Sequence, residues 1–154
     1  NVMDGYLGRE DLTAKVMRKG WYITGDIATL DEDGFITITD RLSRFSKIGG
    51  EMIPHGQIEN ALLEAAQAET MVLAVTAVPD DRKGEQLVVL HTLEESAIPD
   101  ILRKLAANGL PNLFIPKREN FIKVDHLPVL GTGKLDLRTL KYLALQKLTK
   151  SQFD

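Results

Sequence analysis

The chain has 154 residues, of which 44% are hydrophobic, and a formal net charge of −3. This composition is that of a globular protein with one domain, or one domain and part of another, and the acidic balance argues against a dedicated nucleic-acid binder. The sequence contains no cysteine, which excludes disulfides, thiol nucleophiles and cysteine-ligated metals.

The lack of cysteine fits a cytoplasmic protein. No apolar run reaches membrane-spanning length and no signal peptide is visible, so we expect that this segment does not insert into a membrane. The sequence opens in mid-pattern at Asn1, which indicates a fragment of a longer protein. The first predicted element is a β-hairpin from Trp21 to Asp40, because β-rich runs flank the tetrad DEDG at 31–34, a typical turn. The tetrad is also similar to part of a calcium-binding loop, but strands are predicted where an EF-hand requires helices.

After a polar boundary at 40–44, predicted strands and helices alternate to the end of the chain. The predicted fold class is α+β: a small domain whose short mixed or antiparallel sheet is packed by about three helices, preceded by the hairpin. Its predicted elements are a strand at 45–54 interrupted by Gly49-Gly50, a helix at 55–68, two apolar strands around a charged turn at 80–85, a helix from Ile98 to Ala107 with Pro99 in its first turn, a loop at 110–120, a strand at 121–125 and a helix from Leu137 to Leu148.

The stretch LPVLGTGKLD, at 127–136, places a lysine after two glycines. A Walker-type phosphate loop would need glycine at position 128 and a hydroxyl side chain after the lysine, but the sequence has Pro128 and Leu135. What remains is a tight turn, in which Gly131 and Gly133 allow unusual backbone angles and Lys134 projects outward. The local pattern leaves open whether Lys134 is simply solvated or is delivered to a ligand.

Four stretches in the order GWYITGD, DEDGFITITDR, KIGGEMIPHGQIE and LPVLGTGK resemble the C-terminal end of the adenylate-forming superfamily. That superfamily contains acyl-CoA synthetases, nonribosomal-peptide adenylation domains and luciferases. Within it, RFSKIGGEMIP and LPVLGTGK are most similar to bacterial acyl-acyl-carrier-protein synthetases fused to a 2-acylglycerophosphoethanolamine acyltransferase. The resemblance covers nearly the whole chain.

The resemblance implies an ATP-dependent ligase that activates a fatty acid as acyl-AMP and transfers the acyl group to the phosphopantetheine thiol of acyl carrier protein. It implies that ATP, Mg²⁺ and the fatty acid are bound mainly by a large N-terminal domain, which is this segment's own partner. It also implies a parent protein at the inner face of the cell membrane that reacylates lysophospholipids. We expect the isolated fragment to be inactive.

The resemblance also gives roles to individual residues. Asp26 matches the aspartate that accepts both ribose hydroxyls of the adenylate, and Arg41 matches an arginine near the same ribose, although Asp40 precedes it where the family has glycine. Ser43 stands where the family has a charged hinge residue. These positions imply a domain order of 1–40 from the large domain, a hinge at 41–43, a mobile lid at 44–150 and a tail at 151–154.

The resemblance also implies roles for residues in two loops of the lid. Lys47 and Gly50 match a K-x-x-G turn that faces the active site during thioester formation, and Gly49 lies in the same pantetheine loop. Lys134 matches the catalytic lysine of adenylation, a point cation able to reach an incoming carboxylate and the α-phosphate together. No histidine spacing suggests a metal site.

The sequence leaves three alternatives open. The chain could be the lid of an acyl-CoA synthetase, with coenzyme A as the acceptor. It could be a non-catalytic module that docks acidic acyl carrier protein through a basic patch of Arg41, Arg44 and Lys47. It could also be a free-standing nucleotide-binding regulator.

Overall fold

The computed structural model describes residues 2–151, and the chain divides between Ser43 and Arg44 into two compact units. The first unit consists of one short helix and two separate antiparallel strand pairs, β1–β2 and β3–β4. Its elements are α1 (Glu10–Val16), β1 (Met17–Arg18), β2 (Trp21–Tyr22), β3 (Asp26–Leu30) and β4 (Ile36–Arg41).

The predicted hairpin is formed by β3 and β4, and its turn depends on one aspartate. The Asp31 carboxylate accepts hydrogen bonds from the amides of Asp33 and Phe35, at 3.1 and 2.8 Å, and Gly34 takes a φ of +86°. Asx-type bonds of this kind stabilise tight turns. The structure differs from the prediction at Trp21–Tyr22, which pairs with β1 across a two-residue turn instead of extending the hairpin.

The second unit contains a two-stranded hairpin, a three-stranded sheet and three helices. Its elements are β5 (Phe45–Ile48), β6 (Glu51–Pro54), α2 (His55–Ala66), β7 (Leu73–Asp80), β8 (Gly84–His91), α3 (Ile98–Ala107), β9 (Phe121–Lys123) and α4 (Leu137–Ser151), with short 3₁₀ turns at Leu42–Arg44, Glu95–Ala97, Asn112–Phe114 and Arg118–Asn120. The expected strand at 45–54 is therefore a hairpin, and the expected tail, apart from Ser151, lies outside the described residues.

The hairpin β5–β6 turns on Gly49 and Gly50. Ile48 pairs directly with Glu51, so the loop has two residues, with φ values of +60° and +96°. Two positive φ angles define a type I′ turn, whose twist matches that of the flanking strands and which favours glycine. The glycine pair therefore reverses the chain, where the sequence had suggested an interrupted strand.

The core of the second unit lies on both faces of one sheet in the order β7-β8-β9, with β7 and β8 antiparallel and β9 parallel to β8. Alternate residues of each strand point to opposite faces. Leu73, Val75, Leu87 and Val89 pack with α2 and α3 on one face, and Ala74, Val78, Val88 and Leu90 pack with Leu140 and Ala144 of α4 on the other. The predicted small α+β domain with a short mixed sheet and three helices is confirmed.

Candidate functional site

Lys134 lies on a closed turn that leads into α4. The Leu130 amide donates to the Lys134 carbonyl at 2.7 Å, and the Gly133 amide donates to the Leu130 carbonyl at 2.9 Å. Gly133 has a φ of +80°, whereas Gly131 does not use a positive φ. The Lys134 side chain is exposed and has no ion-pair partner among residues 2–151, so it is available to an external anion.

Asp136 fixes the end of this turn by capping α4. Its carboxylate accepts the amides of Arg138 and Thr139, both at 3.1 Å, and the Thr139 hydroxyl at 2.7 Å. These bonds, with that from the Thr139 hydroxyl the strongest, lower the pKa of Asp136 and keep it anionic. A carboxylate at this position satisfies amides that the helix leaves unpaired. Lys134 is therefore anchored two residues before Asp136, the cap of α4.

Asp26 and Arg41 face each other across the hairpin of the first unit. They are register partners, and the Arg41 Nε lies 3.0 Å from Asp26 Oδ1. The Asp26 side chain is 19% exposed and that of Arg41 is 68% exposed, so the carboxylate is sheltered and the guanidinium is mostly in solvent. The structure brings together the two residues expected at the ribose, and their role there remains a prediction.

Tyr22 is a neighbour of this pair that the sequence did not single out. A hydrogen bond with the Tyr6 side chain raises the pKa of the Tyr22 hydroxyl; the negative charge of Asp26 raises it further, whereas the positive charge of Arg41 opposes the shift. The phenol is therefore close enough to both charged groups to interact with them. Its only signal in the sequence is its position four residues before Asp26.

The Gly49-Gly50 turn is anchored to the turn between β7 and β8. The Gly49 amide donates to the Lys83 carbonyl at 2.9 Å, and the Lys47 amide donates to Glu85 Oε2 at 2.7 Å. A cavity of about 210 Å³ adjoins this junction, with Ile48, Leu87 and Leu113 among its apolar residues and Arg82, Lys83 and Lys117 as its cations beside Asp80 and Glu85. The predicted pantetheine loop therefore borders a cavity that is apolar in part and carries three cations.

Ser43 is exposed and lies in the 3₁₀ turn Leu42–Arg44, immediately before the second unit. Arg44 forms an ion pair with Glu59 of α2, as Arg41 does with Asp26. Two of the three cations expected to form a basic patch are thus already paired within the chain. In the part of the chain that the structure describes, no hydrogen bond or ion pair joins the Gly49-Gly50 turn to the Lys134 turn.

His55 and His91 are both buried, in different surroundings. The Ser46 hydroxyl lies 2.6 Å from His55 Nε2, whereas the His91 ring packs against that of Phe121. Among the described residues, no group of three or more His, Cys, Asp or Glu could hold a metal ion, and no helix combines the length and apolar character needed to cross a membrane.

Comparison with known proteins gives no matching family model but many similar sequences and structures. The chain is 39% identical over 137 residues to a feruloyl-CoA synthase of Amycolatopsis sp., an alignment covering 88% of this chain and 27% of that protein. It is similar to ATP-bound MatB from Rhodopseudomonas palustris, with 27% identity, a TM-score of 0.73 and coverage of 93% of this chain and 28% of MatB.

A third similar protein is o-succinylbenzoate CoA synthetase from Bacillus subtilis, solved in complex with an acyl-adenylate intermediate. It is 28% identical, with a TM-score of 0.67 and coverage of 92% of this chain and 28% of that chain. The chain therefore spans little more than a quarter of the length of the relatives it matches.

Proposed function

The chain matches the C-terminal region of acyl- and aryl-CoA ligases of the adenylate-forming family, and we propose that it is the corresponding part of an ATP-dependent ligase. In the first half-reaction a carboxylate oxygen attacks the α-phosphorus of ATP, pyrophosphate leaves, and an acyl-adenylate forms. In the second, a thiol attacks the acyl carbonyl, loses its proton, and expels AMP.

The observation that carries this proposal is the exposed Lys134 on its capped turn. A carboxylate needs no base to attack, but its negative charge is repelled by the phosphate oxygens. A lysine ammonium placed between the two anions offsets this repulsion and holds them in line. Lys134 has no ion-pair partner among the described residues, so its charge is available for this purpose.

Asp26 and Arg41 are the proposed contacts with the nucleotide. A carboxylate can accept two O–H donors at once, which suits the two ribose hydroxyls, and Arg41 at 3.0 Å keeps the Asp26 carboxylate oriented. We assign Mg²⁺ and the ATP phosphates mainly to the part of the parent protein that this chain does not cover, as the resemblance to the adenylate-forming superfamily implies.

For the acceptor, we propose a phosphopantetheine thiol that passes the Gly49-Gly50 turn. A turn without side chains allows a chain to pass close to the backbone, and the neighbouring cations Arg82, Lys83 and Lys117 suit a phosphate-bearing arm. The similarity of RFSKIGGEMIP and LPVLGTGK to acyl-acyl-carrier-protein synthetases supports a fatty acid as donor and acyl carrier protein as acceptor, in lysophospholipid reacylation.

Coenzyme A is the second candidate acceptor, because similar proteins are CoA ligases. A docking module without catalysis has less support, since Arg41 and Arg44 are engaged in ion pairs.

The test compares Lys134→Ala with Lys141→Ala in the full-length parent protein. Lys141 is an exposed cation on α4 and serves as the matched control. We expect Lys134→Ala to slow palmitate-dependent exchange of pyrophosphate into ATP by about 10²–10³-fold, while transfer from supplied palmitoyl-adenylate stays within a few fold. Lys141→Ala should change neither rate.

Two outcomes would contradict the proposal. Equal losses in both half-reactions would remove Lys134 from the adenylation step, and a wild-type protein that exchanges no pyrophosphate with palmitate would exclude a fatty-acid ligase. Running the transfer step with acyl carrier protein and with coenzyme A in parallel decides between the two acceptors.

A further inference from the structure

Arg44 is the first residue of the second unit, and its side chain is held by the body of that unit. Its guanidinium pairs with the Glu59 carboxylate of α2, and the two side chains are only 23% and 13% exposed. Ion pairs sheltered from water are screened less than surface pairs and bond more strongly. Arg44 is therefore fixed to α2 through a charged contact.

Glu59 has a second partner, which ties the same pair to the sheet. Its Oε1 accepts the Val75 amide of β7 at 2.9 Å. Because β7 lies at the edge of the sheet, this amide would otherwise lack a strand partner. One carboxylate thus connects Arg44, α2 and β7, and Arg44 is joined to two elements of the core.

Leu42, two positions before Arg44, is held by the first unit. The Leu42 amide donates to the Gly25 carbonyl at 2.7 Å, next to Asp26. Ser43 lies between Leu42 and Arg44, is exposed, and makes no side-chain hydrogen bond in the described part of the chain. A residue whose side chain is exposed and unbonded is therefore flanked by two anchored residues.

We propose that Arg44 and Glu59 are positioning residues that confine the pivot between the two half-reactions to Ser43. This inference rests on the proposed function, since only an enzyme with two half-reactions needs such a pivot. With Arg44 anchored, rotation at Ser43 carries the whole second unit as one body, and the Lys134 turn and the Gly49-Gly50 turn arrive at reproducible positions. Without the anchor, the rotation spreads into β5 and both turns lose that precision.

The experiment uses the full-length parent protein with Arg44→Met, Arg44→Lys and Glu59→Gln. Arg44→Met removes the cation but keeps an unbranched side chain, Arg44→Lys restores the charge, and Glu59→Gln keeps an acceptor for the Val75 amide. The matched control is Arg103→Met, because Arg103 also pairs with an acid, Asp100, but is 80% exposed on α3. Amide hydrogen exchange is followed along residues 43–151, and both half-reactions are measured with palmitate.

We expect Arg44→Met to accelerate amide exchange at 43–46 about tenfold or more while leaving α3 and β8 unchanged, as local opening predicts. The kcat of each half-reaction should fall about tenfold while the KM for ATP stays within about twofold, since misplacement costs rate more than binding. Arg44→Lys should recover most of the lost kcat, Glu59→Gln should resemble Arg44→Met, and Arg103→Met should resemble the wild type.

Unchanged exchange at 43–46 in Arg44→Met would overturn the proposal. So would equal acceleration throughout the second unit, which would make the pair an ordinary stabilising contact, or a loss of the same size in Arg103→Met. If the wild-type protein showed no acid-dependent pyrophosphate exchange, the proposed function would fail, whereas amide exchange would still decide whether Arg44 is anchored.

Discussion

At the scale of single residues, His91 shows what burial does to a polar side chain. It lies at the end of β8 with no exposed surface, and neither ring nitrogen has a hydrogen-bond partner in the described part of the chain. Its ring contacts that of Phe121, with centroids 5.9 Å apart. Burial lowers the pKa of His91 below its ordinary value; the negative charge of Glu95 opposes this shift in part, and the positive charge of Lys123 adds slightly to it.

This burial predicts a loss of stability in mild acid. Because the folded state holds His91 neutral, the unfolded chain binds its proton more readily as the pH falls below about 6.5, and the free energy of unfolding decreases. Replacing His91 with leucine should make the free energy of unfolding less dependent on pH between 7 and 5, and raise it by about 1 kcal/mol at pH 7 by removing unsatisfied polar atoms.

Urea denaturation at several pH values measures this effect. His126→Gln is the control, because it removes a histidine that is exposed rather than buried. A His91→Leu protein with the same pH dependence as the wild type would show that another group titrates.

The site residues illustrate what a sequence can indicate at this scale. Asp26, Arg41 and Lys134 could be selected from the sequence, because each lies within a short continuous motif. The Arg44–Glu59 pair spans 15 positions, and the Tyr6–Tyr22 bond joins the segment before α1 to β2, so neither contact leaves a local pattern. Contacts of this kind depend on how the chain folds back, which spacing alone does not specify.

At the scale of elements, local signals predicted helices better than strand pairing. The helix from Ile98 to Ala107 has the predicted bounds, since Pro99 at its start and Gly109 beyond its end are both local signals. The parallel pairing of β9 with β8 joins residues about 32 positions apart, and nothing near Phe121 in the sequence indicates it. The 3₁₀ turns within 110–120 were likewise expected only as a loop.

The two glycines of the β5–β6 turn are expected to differ in how well they tolerate a side chain. Gly49, at a φ of +60°, lies in the left-handed region that asparagine tolerates, and an added Cβ would meet only Leu113 at 3.9 Å. Gly50, at a φ of +96°, lies outside that region with open space around it. We expect Gly49→Asn to change the free energy of unfolding by less than about 0.5 kcal/mol, because Asn-Gly suits a type I′ turn.

Gly50→Ala should lower the free energy of unfolding by about 1–2 kcal/mol through backbone strain alone. The two variants are each other's control, since both add a side chain to the same turn. Urea denaturation of the two variants and the wild type provides the measurement. Equal losses at both positions would rule out the type I′ geometry.

At the scale of the whole molecule, the two units differ in how much apolar surface they bury. The second unit has apolar clusters on both faces of its sheet, with Ile53, Ile58, Leu62, Leu90 and Leu105 fully buried. In the first unit, by contrast, Trp21, Leu30, Phe35, Ile36 and Ile38 are each at least 67% exposed. A two-stranded hairpin with this surface is at most marginally stable in water, so we infer that further chain of the parent protein covers it.

This difference predicts how two fragments behave. The fragment 44–154 should unfold in one cooperative thermal transition and bind little of the hydrophobic dye ANS, because its core is complete within the second unit. The fragment 1–154 should show the same transition but bind several times more ANS, since the first unit adds exposed apolar side chains.

Neither fragment should release pyrophosphate from ATP and palmitate, because the proposed phosphate and acid sites lie in the rest of the parent protein. Circular dichroism, dye fluorescence and a pyrophosphate assay measure these properties on the same samples. Equal dye binding by the two fragments would contradict an uncovered first unit, and pyrophosphate release by 1–154 would place the adenylation site within this chain.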